Sequence, residues 1–419
     1  MKKKTTPAES AATVTFETLE FFAREQVQKM LQSVLDEEVT SFLGRMKSAR
    51  KASVDAGSGY RNGHGKPRRL ALTCGTVTVR RPRVRGLEER FESRILPLFA
   101  RRTTEVGTLL PELYLHGLSQ GDFELALRGL LGDGAPLSSS SIERLRGKWQ
   151  AEFEDWRTRP LTDEVVYLWV DGIYVKAGLE KEKACLLVAI GALRDGRKVV
   201  LAIESGYRES KESWAALLRS LRDRGMNAPK LAIGDGHLGI WAALAEVYPG
   251  TKDGRCWNHK IRNVLDQLPL KLRPQALELL RVIPAADTKA ACEKLRDRFV
   301  RRYQGGYPKA AAALLRDWDR MVTFYEFPHE HWRHLRTSNV VESPFASVRL
   351  RTAAGKRYKK VASATALIWK ILMIAESRFR HLNARTSSRR SPMASSTRTE
   401  FGFITPTGGP LPESCLHTY

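Results

Sequence analysis

The chain has 419 residues, too many for one ordinary core, so two to four domains are expected. Its 70 Lys and Arg against 46 Asp and Glu leave a formal charge of +24, which points to a polyanionic partner: nucleic acid first, an anionic membrane surface second. Five scattered cysteines (Cys74, Cys185, Cys256, Cys292, Cys415) with no Cys-x-x-Cys pair exclude a disulfide framework. No apolar run reaches the ~18 residues that span a bilayer, and none follows the charged start "MKKKTTPAES" as a secretory signal would, so a cytoplasmic, nucleoid-associated protein is expected.

Residues 13–45 predict a helix whose apolar stripe is Phe16, Leu19, Ala23, Val27, Met30 and Val34. The stripe is expected to pack on its own domain, with pairing to a second subunit as the alternative. Residues 46–65 read as a polar loop. Alternation at Leu70, Leu72 and Cys74, then Val77 and Val79, with Gly75 between, predicts a β-hairpin. From Arg61 to Arg102 there are 12 Lys or Arg and 3 acids, so this segment is expected to touch phosphates, with Arg68, Arg69 and Arg81 as candidates. Residues 105–156 predict three helices, the last two with helix–turn–helix form. A plain αα-hairpin is the alternative. Arg144, Arg146 and Lys148 near the start of the last helix are its candidate DNA contacts.

From Glu164 the pattern changes. "VVYLWVDGIYV" (165–175), "ACLLVAIGAL" (184–193) and "KVVLAIESGY" (198–207) are strand-like, 210–225 is helical, "APKLAIGD" (228–235) is a strand, 237–247 a helix, and "GRCWNH" (254–259) a short further run. Three consecutive strands and then alternation fit an α/β domain of ribonuclease-H type. A Rossmann fold fits less well, since no G-x-G-x-x-G follows the first strand. Residues 260–330 read as helices, with Pro274 and Pro308 at helix starts. Another helix starts within "RTSNVVESPFASVRLR". Residues 345–381 hold nine Lys or Arg and one acid, making Arg349, Arg351, Lys356 and Arg357 candidate DNA contacts. From Asn383, 12 of 37 residues are Ser or Thr, and this tail reads as disordered.

Three acids carry the chemistry. Asp171 interrupts an apolar strand on the face of Tyr167 and Trp169. Asp235 stands between two glycines at a strand end. Glu342 lies in the first turn of a helix behind Asn339. Each has a plain alternative: a turn at Asp171-Gly172, a turn at Asp235-Gly236, a capping-box partner of Asn339. A buried carboxylate is costly unless compensated. Hard oxygen ligands suit Mg²⁺ or Mn²⁺, and two such ions ~4 Å apart serve phosphodiester chemistry.

The words "LWVDGIYVK", "IGDGHLGIWAAL", "YPG", "CWNHKIRNVLDQLP" and "LRTSNVVESPFASVRLRT", with "FLGR", "GYRNGH" and "LPELYLHGLSQGDFELAL" before them, resemble the Mutator-type transposases of bacterial insertion sequences, over roughly residues 30–382. The resemblance implies an α/β ribonuclease-H-like catalytic core with an all-helical insertion, preceded by a mostly helical DNA-binding N-terminal region with a small β-hairpin. The step of 107 residues from Asp235 to Glu342 leaves room for the insertion. It also implies Asp171, Asp235 and Glu342 as the Mg²⁺-binding triad, a reaction without a covalent protein–DNA intermediate, and a basic residue at Arg349, two helical turns past Glu342, in contact with end DNA. The expected partners are terminal inverted repeats, target DNA and a second copy of the chain or more. Cys256 and His259 match the family's Cys-x-x-His signature, for which a structural or DNA-positioning role is expected ahead of zinc. The expected divisions are 1–58 (N-terminal helix, dimerisation), 59–160 (DNA binding), 161–268 and 336–382 (the two parts of the core), 269–335 (insertion) and 383–419 (tail). The tail does not resemble the family's usual end. Two classes follow: a metal-dependent DNA transposase, or a DNA-binding protein that keeps the fold without catalysis.

Overall fold

The computed structural model describes residues 15–47, 59–119, 122–132, 135, 139–178, 183–206, 208–236, 238–355 and 357–382. The expected disordered tail, His237 and Lys356 lie outside them.

Helix α1 (Leu19–Leu43) follows a short 3-10 turn and stops at Gly44, whose φ of 62° closes the helix in the left-handed conformation. Its buried residues are Leu35, Val39 and Leu43. The expected stripe faces out instead: Phe16 is 91% and Met30 61% exposed. Polar pins choose the face. The Gln32 side chain accepts from the Arg80 N–H and donates to its carbonyl, and Gln28 accepts from Thr78 N–H. These pins hold the helix against β3 of an inner hairpin, β2 with β3 (Arg68–Leu72 with Gly75–Val79), enclosed in sequence by an antiparallel outer pair, β1 with β4 (Tyr60–His64 with Pro82–Arg85). The loop expected through residue 65 is therefore a strand at 60–64. That stretch has no buried residue and hence no alternation to read, and its partner lies beyond the inner hairpin.

Three helices follow as expected: α2 (Thr104–Leu115), α3 (Phe123–Leu131) and α4 (Ser139–Thr158). The turn on which a helix–turn–helix reading depends lies largely outside the described residues.

The central sheet holds β5 (Val165–Val175), β6 (Ala184–Leu193), β7 (Lys198–Gly206), β8 (Leu231–Gly234) and β9 (Lys252–Arg255) in the order β7-β6-β5-β8-β9. The first three are mutually antiparallel, whereas β8 runs parallel to β5 and to β9. The mixed helix-and-sheet architecture is consistent with a ribonuclease-H-like core. Alternation along β5 splits its side chains between two layers. Leu168 and Val170 meet Trp214, Leu217 and Leu221 of α5 (Lys211–Asp223) and Ile240 and Leu244 of α6 (Leu238–Val247). Tyr167 and Trp169 share the opposite core with the helices that follow.

The "GRCWNH" run is not one strand: β9 stops at Arg255 and α7 (Trp257–Leu265) begins. Trp257, Lys260 and Val264 are its buried residues, a helical spacing that six residues are too few to reveal. Helices α8 (Arg273–Val282), α9 (Lys289–Tyr303), α10 (Pro308–Leu315), α11 (Trp318–Val322) and α12 (Trp332–Leu335) come next. They are tied back to β5 where the Trp169 indole donates to the His334 carbonyl at 3.1 Å and Tyr167 hydrogen-bonds His331 at 2.9 Å. The chain then forms α13 (Asn339–Glu342), α14 (Phe345–Ala354) and α15 (Val361–Glu376). Helix α4 lies along α15, with Phe153 and Trp369 rings 5.8 Å apart and Lys370 paired to Glu152 at 2.8 Å. Among the described residues no helix is long and apolar enough to cross a membrane, and Cys74, Cys185, Cys256 and Cys292 are free thiols.

Candidate carboxylate site

Parallel pairing of β5 with β8 sets Tyr167 beside Leu231 and Trp169 beside Ile233. The same register carried two residues further puts Asp171 beside Asp235. Asp171 is interior to β5, so it is not the hairpin turn that its neighbour Gly172 suggests. Asp235 does stand at a turn, and its glycines have distinct work. Gly236 has φ 103°, and a Cβ there would lie 2.3 Å from Arg255 Nε, the atom that donates to the Asp235 carbonyl at 3.3 Å. Gly234 meets only ordinary contacts, but its carbonyl accepts from Cys256 N–H at 2.8 Å.

A third carboxylate joins the two aspartates: candidate ligand oxygens of Asp171, Glu209 and Asp235 all lie within 4.8 Å of one another. Glu209 was not among the residues singled out from sequence. In "GYRESKESW" it reads as the polar lead-in to α5, and an acid just after a strand was the sole signal. Burial pushes the Asp171 carboxyl up to about 7, with the charges of Asp235, Glu209 and Glu342 adding to it. The Gly172 N–H, donating to Asp171 at 2.8 Å, offsets part of this.

Glu342 ends α13 and belongs to a second group, with Cys256 and His259, also within 4.8 Å. The Ser338 hydroxyl donates to its carboxylate, the Cys256 thiol does so at 3.9 Å, and His259 Nδ1 lies 3.7 Å away. Cys256 Sγ also accepts from Ser338 N–H at 3.3 Å. Cys256 therefore joins the end of β8, next to Asp235, to the helix that carries Glu342. The hydrogen bond with Cys256 and then nearby negative charge, including that of Glu342, push His259 up to about 9 against the opposing effect of burial. The capping-box alternative does not hold: Ser338 precedes the helix, and the Asn339 side chain accepts from Asn258 at 2.8 Å.

The single helix expected beyond Glu342 is split. Pro344 has no N–H to donate, and α14 starts after it. Arg349 is exposed there, 6.0 Å from the Phe345 ring. Arg351 is only 2% exposed and stacks on Tyr114 at 3.9 Å, so its guanidinium serves packing. Arg357 is exposed and donates to the Gly178 carbonyl at 3.1 Å. On α4, Arg144 is exposed, Arg146 pairs with Glu143 at 3.4 Å and Lys148 with Glu152 at 3.6 Å. Arg68, Arg69 and Arg81 converge with Lys66, Arg83 and Arg101 on a cleft of about 670 Å³ whose lining contains no acid. Burial, then the charges of Arg81 and Arg101, hold Arg68 below the ordinary arginine value.

The molecule is thus an α/β protein with carboxylates clustered beside its central sheet and a cation-lined cleft in its N-terminal strands. The chain belongs to the Mutator family of transposases, whose description, "Transposase, Mutator family", matches residues 1–381. It is 49% identical over 280 residues to the transposase for insertion sequence element IS6120 of Mycolicibacterium smegmatis, covering 67% of this chain and 87% of that protein. It is 44% identical over 257 residues to the transposase for IST2 of Acidithiobacillus ferrooxidans, covering 61% and 87%. Among solved structures, the HTLV-2 integrase catalytic core domain in complex with magnesium aligns at 20% identity over 27% of this chain and 82% of that one. The TM-score of that alignment is 0.17.

Proposed function

We propose that this transposase binds the terminal inverted repeats of its insertion sequence, cleaves DNA to free 3′-OH ends and joins them to target DNA. The observation that carries the reading is the convergence of Asp171, within β5, and Asp235, just past the parallel strand β8, to within 4.8 Å, in a chain of this family. Residues 161–268 and 336–382 are read as a ribonuclease-H-like core and 269–335 as its helical insertion.

Asp171, Asp235 and Glu342 are read as the catalytic acids. The donor set fits a divalent cation: hard carboxylate oxygens of Asp171 and Asp235 converge, and burial, then the neighbouring charges of Asp235, Glu209 and Glu342, raise Asp171. Mg²⁺ or Mn²⁺ held there, one ion or two, would supply activation of the attacking oxygen and charge stabilisation of the leaving one. Asp171 is held within β5, and Asp235 at the turn that ends β8. Glu342 is held beside them by Cys256, Ser338 and His259, which gives the Cys-x-x-His motif a positioning role.

The cation-lined cleft, with Arg68, Arg69 and Arg81, is read as a contact to the phosphate backbone. The exposed Arg144, Arg349 and Arg357 add contacts, and Phe16, Leu19 and Met30 offer an exposed stripe for a second copy, since two ends must be joined. Binding is expected to be steep in salt. Each neutralised phosphate adds about 0.9 to the log–log slope, so a slope magnitude above ~5 is expected in a gel-shift titration. A nearly flat dependence between low and moderate salt would remove the nucleic-acid reading.

The direct test is a supercoiled plasmid carrying candidate terminal repeats, incubated with the protein and Mg²⁺. Nicks at the repeat ends bearing 3′-OH groups are expected. Bound but intact plasmid would leave a DNA-binding protein without catalysis.

A further inference from the structure

Glu209 occupies a place that two glycines keep open. It precedes α5, next to Arg208, a non-glycine residue at φ 62°. A Cβ on Gly172 of β5 would lie 2.6 Å from the Glu209 carboxyl carbon and from Oε1. A Cβ on Gly239 of α6 would lie 2.7 Å from the Glu209 carbonyl oxygen and 2.9 Å from Lys211 N. Real Cβ atoms do not approach so closely, so an alanine at either position would displace Glu209. The clearance at Gly239 serves the main chain of residues 209–211, whereas the clearance at Gly172 serves the Glu209 carboxylate itself, which a polar residue that merely led into a helix would not need. Cleared in this way, the carboxylate arrives within 4.8 Å of the ligand oxygens of Asp171 and Asp235.

Glu342 has different company. Its neighbours are a thiol, an imidazole and the Ser338 hydroxyl. The thiol and the hydroxyl donate to its carboxylate, the imidazole lies 3.7 Å away, and sulfur and nitrogen suit softer ions than Mg²⁺.

We propose that Glu209 is a ligand, with Asp171 and Asp235, for one divalent cation, so that the site uses four acids and Glu342 serves from a separate group. The proposal rests on the reading that the cluster binds a divalent metal, and adds to it the residue and its partition. Mg²⁺ needs near-octahedral oxygen coordination and keeps several waters, so three protein carboxylates leave room for water and a phosphate oxygen. The competing role for Glu209 is local: it hydrogen-bonds the Tyr174 hydroxyl. Gln can accept the same bond, so Glu209→Gln removes charge and keeps that contact.

The test is Mn²⁺ binding to the full chain without DNA, followed by electron paramagnetic resonance of the free ion, with thermal midpoints confirming that each variant is folded. Glu209→Gln is expected to weaken Mn²⁺ binding by about tenfold or more. Gly172→Ala, which leaves every carboxylate in the chain, is expected to weaken it similarly by displacing one. Tyr174→Phe is expected to leave it unchanged. Glu209→Gln binding Mn²⁺ like wild type, while Asp171→Asn does not, overturns the assignment of Glu209 and leaves the metal reading standing. Wild-type binding by Asp171→Asn as well overturns the metal reading itself. Should Gly172→Ala fail to fold, Glu209→Gln alone decides.

Discussion

Asp171→Ala and Asp235→Ala proteins are expected to shift terminal-repeat DNA as wild type does and to lose end cleavage. Binding is assigned to residues before about 160, where the cation-lined cleft lies, and neither aspartate contributes to it. Cleavage is assigned to the carboxylates of Asp171 within β5 and Asp235 just past β8, and each substitution removes one of them. A group acting directly on the transition state is worth about 10²–10³-fold or more in rate. Gel shift and nicking assays on the same preparations separate the two effects. Near wild-type nicking by either variant would make that aspartate a turn or packing residue.

Stability supplies an independent reading of Asp171. Its folded value of about 7 lies above the 3.8 of an ordinary aspartate. Between those values the folded protein holds a proton that the unfolded chain has released. Stability without metal therefore falls as pH rises from about 4 to 7, and the full penalty applies above 7. Asp171→Asn keeps the acceptor for the Gly172 N–H and removes the charge. At pH 8 without divalent ions it is expected to melt a few degrees above wild type, since ~1 kcal/mol corresponds to about 2–4 °C in a domain of this size. At pH 4 the difference is expected to vanish. A gain in stability coupled to a loss of cleavage is what a repulsive catalytic cluster entails. Equal midpoints at both pH values would show that Asp171 ionises without penalty.

Glu342→Gln is expected to lower cleavage by orders of magnitude while leaving the melting midpoint almost unchanged. The Ser338 hydroxyl and the Cys256 thiol can donate to a Gln carbonyl as they do to the carboxylate, so shape and bonding survive. What disappears is the negative charge. Asn339→Ala is the opposite control. It removes the acceptor for the Asn258 amide and is expected to cost ~1 kcal/mol of stability with a smaller effect on rate. Wild type, both single variants and the double, measured for midpoint and Mg²⁺-dependent cleavage, form a complete cycle. An active Glu342→Gln protein would falsify its place among the catalytic acids.

Much of the central sheet was legible residue by residue. The bounds expected for β5 and β6 are those observed, because β-branched and aromatic runs broken by polar turns carry their own boundaries. Pro308 opens α10 as expected, its ring pre-setting the first helical φ. Asp171 could be found because a charge inside an apolar strand is anomalous wherever the strand ends up. Local chemistry could not choose among faces and partners that lie far along the chain. The stripe expected to bury α1 faces outward because Gln28 and Gln32 find backbone partners in β3 and just beyond it, and bind a different face. Arg351 looked like its basic neighbours until Tyr114, from another helix, supplied a ring to stack on. The Cys-x-x-His motif is expected from sequence to be structural or DNA-positioning, and only folding brings Glu342 and Ser338 to Cys256. Glu209, one polar residue among several, becomes distinctive only because folding sets Gly172, from a strand far before it in sequence, against its carboxylate. Backbone periodicity and turn chemistry are set by neighbours in sequence. Which charges converge, and which side chain is turned inward, depends on tertiary packing that no local pattern records.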